Sequence, residues 1–156
     1  MSKVWFITGA SKGFGREFAL GALERGDQVA ATARNADALK GLVEQYGDAV
    51  FPVELDVTNR DQVFAAVKSA HEKFGRIDVV INNAGYGLFG TVEEITEQQL
   101  RDQLETNLFG VFHVTQASRS SASSARATSS RSRPRAASSR SRPSLPTMRR
   151  SGHWKG

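Results

Sequence analysis

A short apolar run, Val4-Trp5-Phe6-Ile7, passes directly into Thr8-Gly9-Ala10-Ser11-Lys12-Gly13-Phe14-Gly15 and then into a helical pattern. Nothing else in the chain restricts its fold so tightly. A buried strand, a turn with three glycines and a helix beginning near Phe14 together make a cradle for an anion. Gly9 permits the tight turn, Gly13 lets the backbone approach a diphosphate, and Gly15 lets helix and strand pack closely. The helix points the positive end of its dipole at the same place.

Downstream, the hydrophobic pattern alternates strand and helix. Phe14 to Arg25 reads as a helix, with Phe14, Phe18, Leu20 and Leu23 at helical spacing and Gly26 as its stop. Gln28–Ala33 reads as a second strand, Ala36–Tyr46 as a second helix and Val50–Leu55 as a third strand. Thr58 reads as the cap of a third helix that runs to Phe74. Ile77–Ile81 is a fourth strand and Glu97–Ala117 a long helix. The strands are apolar throughout rather than alternating, as parallel strands covered on both faces should be. The expectation is an α/β fold: a doubly wound parallel sheet of about four strands, joined by right-handed crossovers.

Charge divides the chain at Ala117. All 16 acidic residues precede that point, whereas 10 of the 21 basic residues follow it. The basic balance therefore belongs to the tail, and a nucleic-acid role does not follow from it. From Ser118 to Ser151 there are 13 Ser and nine Arg, and Ser129-Ser130-Arg131-Ser132-Arg133-Pro134 recurs as Ser138-Ser139-Arg140-Ser141-Arg142-Pro143. So little apolar surface cannot offset chain entropy, and residues 118–156 are expected to be a disordered basic tail behind a folded region of residues 1–117. There is no Cys, and the three His are far apart, so neither a disulfide frame nor a metal cluster is indicated. The N-terminal apolar run is too short for a signal peptide or a membrane span, which points to the cytoplasm.

Four elements occur in order and at suitable spacing: the Thr8–Gly15 turn, Asp56-Val57 after the third strand, Asn82-Asn83-Ala84-Gly85 after the fourth, and Asn107 in the long helix. In these, residues 3–117 resemble the short-chain dehydrogenases/reductases. The resemblance implies a Rossmann-like sheet of order 3-2-1-4, truncated before strands five to seven. It also implies hydride transfer between a nicotinamide cofactor and a ketone or secondary alcohol, and a homo-oligomer for intact members. Cofactor contacts are implied for Gly9, Ser11, Lys12, Gly13, Phe14, Gly15, Arg34, Asp56, Val57, Asn83, Ala84 and Gly85. Asp56 would accept a bond from adenine, or serve only a local turn. Asn83, Ala84 and Gly85 would pass close to a ribose, or merely satisfy their own backbone.

The residue after the second strand is Arg34, where an NAD enzyme usually carries an acid. Arg34 could fork onto a 2′-phosphate with Lys12 beside it, so NADP(H) is favoured over NAD(H). The bland alternative is two solvated surface charges. Asn107 is a poor mid-helix residue. Resemblance gives it a catalytic role through a bound water, and the alternative is a buried Asn satisfied by the backbone. Phe89, Phe109 and Phe112 read as core or subunit contacts.

The resemblance also implies a proton-donating Tyr-x-x-x-Lys and an upstream Ser. Tyr46 and Tyr86 are the only tyrosines, and they are followed four residues later by Val50 and Gly90. Leu145–His153 is similar to the family segment that follows the long helix, displaced by the Ser/Arg block, as a change of reading frame would produce. The expected consequences are a chain inactive by itself, an open apolar edge at the fourth strand and marginal stability. A non-catalytic nucleotide-binding module is the alternative. An RNA-binding tail is a weaker one, because aromatics for base stacking are lacking.

Overall fold

The computed structural model describes residues 2–131. Strand β1 is Val4–Ile7, followed by helix α1, Gly13–Glu24. Strand β2 is Gln28–Ala33. A 3₁₀ turn, Ala36–Leu39, leads into helix α2, Lys40–Tyr46. Strand β3 (Val50–Glu54), helix α3 (Arg60–Phe74) and strand β4 (Val79–Ile81) follow. Helix α4, Glu97–Leu104, runs through a π-helical segment, Glu105–Phe109, into helix α5, Gly110–Arg131.

The four strands form one parallel sheet in the order β3-β2-β1-β4. Because successive residues of a strand face opposite ways, each apolar strand feeds two cores. Ile7, Val29 and Ala31 pack with Ala19, Ala22 and Leu23 of α1 and with Leu39 and Leu42. On the other face Phe6 and Ala30 pack with Val63, Ala66, Val67 and Ala70 of α3 and with Val114 and Ala117 of α5. Both faces are thus covered by helices. Among the described residues nothing pairs with the outer edge of β4, whose three residues are only half-buried.

Four expectations need correction. Phe14 and Phe18 do not face the core: they are 77% and 44% exposed and stack on each other at 6.5 Å. The buried side of α1 is Gly15, Ala19, Ala22 and Leu23, because a helix lying close on a sheet accommodates small residues there. The cap of α3 is Asn59, whose side chain accepts from Gln62 N–H, and not Thr58. The long helix does not end at Ala117 but continues to Arg131, through the first part of the segment expected to be disordered. Ala and Arg are strong helix formers, so low hydrophobicity alone did not exclude a helix here. The rest of that segment, including Leu145–His153, lies outside the described residues. Phe89, Phe109 and Phe112 are exposed (94%, 45% and 58%), which excludes the core half of their reading and leaves the subunit-contact half standing. No helix among the described residues is long and apolar enough to cross a membrane.

Candidate functional site

The loop after β1 emerges at the end of the sheet where the loops after β2, β3 and β4 also emerge. Open parallel sheets bind ligands at this end. Gly9 has φ +67°, a left-handed conformation that disfavours a side chain, and a Cβ there would crowd Ala84 Cα at 3.1 Å. At Gly15 an added Cβ would collide with Gly9 O and Asn83 Nδ2. Absence of a side chain at these two positions is therefore what lets α1 begin directly behind the turn.

Thr8 holds the loop in place. Its hydroxyl accepts the Asn83 N–H at 2.9 Å and the Ala84 N–H at 3.0 Å, and it donates to Ile81 O at 3.3 Å. Asn83 answers from the other side, with its Nδ2 donating to Thr8 O at 3.1 Å and to Gly9 O at 3.0 Å. Ala10 N–H donates to Thr32 O at 2.8 Å, which fastens the loop to the end of β2 as well. The glycine turn is thus stitched to both neighbouring strands. The sequence pattern did not single out Thr8. Its only signal was a Thr closing an apolar strand immediately before a Gly.

Helix α1 opens toward solvent. Lys12 is its N-cap residue, no side chain caps its first turn, and that turn carries no acid. The leading N–H groups of a helix have no intrahelical partners, and the dipole adds positive potential. Ser11 is half-buried in the turn, while Lys12, Gly13 and Phe14 are exposed at its rim. Arg34 is exposed just beyond β2 and makes no ion pair among the described residues. The nearby acid Asp37 is engaged by Lys40 at 2.9 Å.

Asp56 and Val57 follow β3. One Asp56 carboxylate oxygen is committed locally, accepting the Thr58 N–H at 2.9 Å and the Thr58 hydroxyl at 2.8 Å. Val57 is buried against α5, where a Cβ on Gly110 would meet its Cγ2 at 2.8 Å. After β4, Ala84 and Gly85 lead to Tyr86, and there Asn107 enters. Asn107 Oδ1 accepts the Tyr86 N–H at 3.1 Å, and its Nδ2 donates to Tyr86 O at 2.8 Å. The π-helical segment around Asn107 turns the amide toward this loop, and such bulges recur at functional sites.

The structure therefore brings together the Thr8–Gly15 turn and Asn83–Ala84, and separately Gly85–Tyr86 and Asn107. Arg34 and Asp56 stand at the ends of their strands without bonds to the turn. A hollow lined by Lys3, Trp5, Arg25 and Asp27 lies at the opposite end of the sheet. No group of His, Cys, Asp and Glu among the described residues could hold a metal ion.

This geometry coincides with a known family. The model of the short chain dehydrogenase family matches residues 3–127. The chain is 55% identical over 118 residues to an oxidoreductase of Botryotinia fuckeliana, covering 75% of this chain and 43% of that one. It is similar to the solved alcohol dehydrogenase of the archaeon Thermococcus sibiricus, complexed with 5-hydroxy-NADP (TM-score 0.74, 36% identity, 80% of this chain and 55% of that one). It is also similar to the 3-ketoacyl-(acyl-carrier-protein) reductase of Brucella melitensis, complexed with NADH (TM-score 0.70, 32% identity, 73% and 48%). The chain belongs to the short-chain dehydrogenase family, whose members include proteins solved with NADP-type and NAD-type nucleotides. It spans about half the length of these relatives.

Proposed function

We propose that this chain holds a nicotinamide dinucleotide, NADP(H) in preference to NAD(H), in the manner of an oxidoreductase acting on a ketone or secondary alcohol. The observation that carries the reading is the glycine turn at the start of α1. A Cβ would be strained and crowded at Gly9 and would clash at Gly15, the helix end is uncapped, and Thr8 and Asn83 lock the turn's shape. The backbone N–H groups of Ser11–Gly15 would hold the diphosphate. Asp56 and Val57 would line the adenine side, with the second Asp56 oxygen available as acceptor. Asn83 serves the site by fixing the turn, while Ala84 and Gly85 would run beside a ribose. When bound, the cofactor supplies the hydride chemistry, and the protein orients it.

Preference for the 2′-phosphate rests on Arg34, exposed and without an ion pair, and on Lys12 at the rim of the turn. Asp37, the acid nearest in sequence, pairs one oxygen with Lys40, which weakens it as a rival acceptor for a ribose hydroxyl. Titration of the purified chain with NADPH and NADH tests this. Wild type should bind NADPH more tightly, and Arg34→Ala should lose about 10- to 100-fold in NADPH affinity, the value of a charge-assisted pair, with little change for NADH. Equal affinities for both nucleotides in wild type would remove the preference.

Catalysis is a separate matter. Asn107 spends its side chain on the Tyr86 backbone, so its contribution to turnover would be through its own backbone or through loop geometry. Neither tyrosine of the chain is followed at four residues by a lysine. We infer that the 156 residues bind nucleotide without reducing carbonyls, and NADPH oxidation above background by the pure protein with a ketone panel would contradict this.

A further inference from the structure

The outer end of β1, remote from the glycine turn, is held by two matching devices. Arg25-Gly26-Asp27 leads into β2 on one side, and Arg76-Ile77-Asp78 leads into β4 on the other. The Asp27 carboxylate accepts the Lys3 N–H at 2.8 Å and the Trp5 Nε1–H at 2.9 Å, with Arg25 Nε at 3.9 Å. The Asp78 carboxylate accepts the Val4 N–H at 2.8 Å and pairs with Arg76 Nε at 2.9 Å, while the Arg76 guanidinium donates to Ser2 O. Gln28 N–H donates to Lys3 O at 2.9 Å, and Asp78 N–H to Val4 O at 2.9 Å. Both backbone groups of Lys3 and of Val4 are thereby fixed.

What β1 lacks gives these contacts their importance. Strand register is specified by the contrast between a buried apolar face and a solvated polar one. Here all four residues of β1 are apolar, with Phe6 in one core and Ile7 in the other, and neighbouring β4 reads Val-Val-Ile. A slipped β1 would still bury apolar side chains on both faces. Discrimination falls to polar groups at the strand ends: the Thr8 hydroxyl at the inner end and the two carboxylates at the outer.

We propose that Asp27 and Asp78 are positioning residues for the nucleotide turn, acting through β1. By pinning Lys3 and Val4 they set its register against β2 and β4, in which Trp5 lies opposite Val29 and Val79. That register keeps Thr8–Gly15 level with Asn83–Gly85. The proposal rests on the nucleotide-binding reading for its effect on affinity, but the register itself is measurable without nucleotide.

The test compares Asp27→Ala, Asp78→Ala and the double variant, which remove the accepting oxygens, with Val50→Ala, a core truncation at the start of β3 that destabilises without touching β1. NADPH affinity and amide exchange at Thr8, Ala10 and Asn83 are measured where every variant is fully folded. The double variant should bind NADPH about tenfold more weakly and exchange those amides about tenfold faster, while Val50→Ala keeps wild-type affinity and loop exchange. If the double variant does not fold, the single variants decide, since each leaves one pin and should show part of both effects. Wild-type affinity and wild-type loop exchange in the folded pin variants would overturn the proposal, as would equal effects from Val50→Ala. Should wild type itself fail to bind NADPH, the nucleotide reading falls, and the exchange comparison alone decides whether the pins set the register.

Discussion

Replacing Thr8 by Val is the sharpest probe of how the site is built. The two side chains are nearly isosteric, Val is the more apolar, and both favour strands. Thr8 is 1% exposed, so a purely hydrophobic account predicts that the change is neutral or stabilising. The hydrogen bonds say otherwise. Valine cannot accept the N–H groups of Asn83 and Ala84, which reach the hydroxyl at 2.9 and 3.0 Å. Losing the bond to Ile81 O matters less, because that carbonyl also accepts Thr8 N–H at 3.0 Å. Asn83 and Ala84 are half-buried, so water recovers part of the loss, and two stranded donors cost about 2 kcal/mol together. Thr8→Ser keeps the acceptor and sheds one methyl group, at about 1 kcal/mol. The predicted order of stability is therefore wild type, Ser, Val. In urea unfolding followed by far-UV circular dichroism, the Val variant's midpoint should fall by about 1 M or more with unchanged slope. A Val variant as stable as wild type, with Ser below both, would refute the reasoning.

Two further outcomes follow from the same geometry. Asn107→Ala removes both bonds to the Tyr86 backbone, but the site is exposed. Global stability should drop by no more than about 1 kcal/mol, while chymotryptic cleavage after Tyr86 and Phe89 accelerates severalfold. Unchanged cleavage would mean that Asn107 does not hold this loop. Asp27 titrates with a consequence for folding. The Lys3 N–H above all and then the Trp5 indole hold its carboxyl below the ordinary carboxylate range, against the opposing effect of desolvation, with lesser help from the Arg25 and Lys3 charges. A lowered folded value means that its contribution is fully present above the unfolded carboxylate pKa and is lost as pH falls through the folded one. The stability gap between wild type and Asp27→Asn should hold steady at neutral pH and close below about pH 4. A gap that persists in acid would show that the carboxylate's charge is not what matters.

Much of the architecture was legible because parallel strands buried on two faces write themselves as unbroken apolar runs. Val4–Ile7, Gln28–Ala33 and Val50–Glu54 were found within a residue of their observed ends. The glycine turn was legible because a side chain would be strained at Gly9 and would collide with backbone at Gly15. Side-chain roles were harder to read. Phe14 and Phe18 share helical spacing with buried residues, yet they lie on the outside, since only Gly15, Ala19 and Ala22 let α1 lie close to the sheet. Asn83 reads as a ligand contact, with a turn role as the alternative, until its amide is seen between Thr8 O and Gly9 O. Thr8 was hidden because a buried hydroxyl and a strand-forming β-branched residue leave the same mark. Asn107 had two readings; its side chain bonds the Tyr86 backbone, but it is exposed and not the buried residue the second reading expected.

The central claim is that the turn after β1 grips a dinucleotide diphosphate, and backbone amide resonances report on that most directly. On titrating the whole chain with NADPH, the Ser11, Lys12, Gly13, Phe14 and Gly15 signals should move together and saturate with one dissociation constant. Arg34 and Asp56 should respond at the same midpoint. Signals that stay put up to millimolar nucleotide, or saturable shifts confined to the opposite end of the sheet around Lys3 and Arg25, would contradict the account.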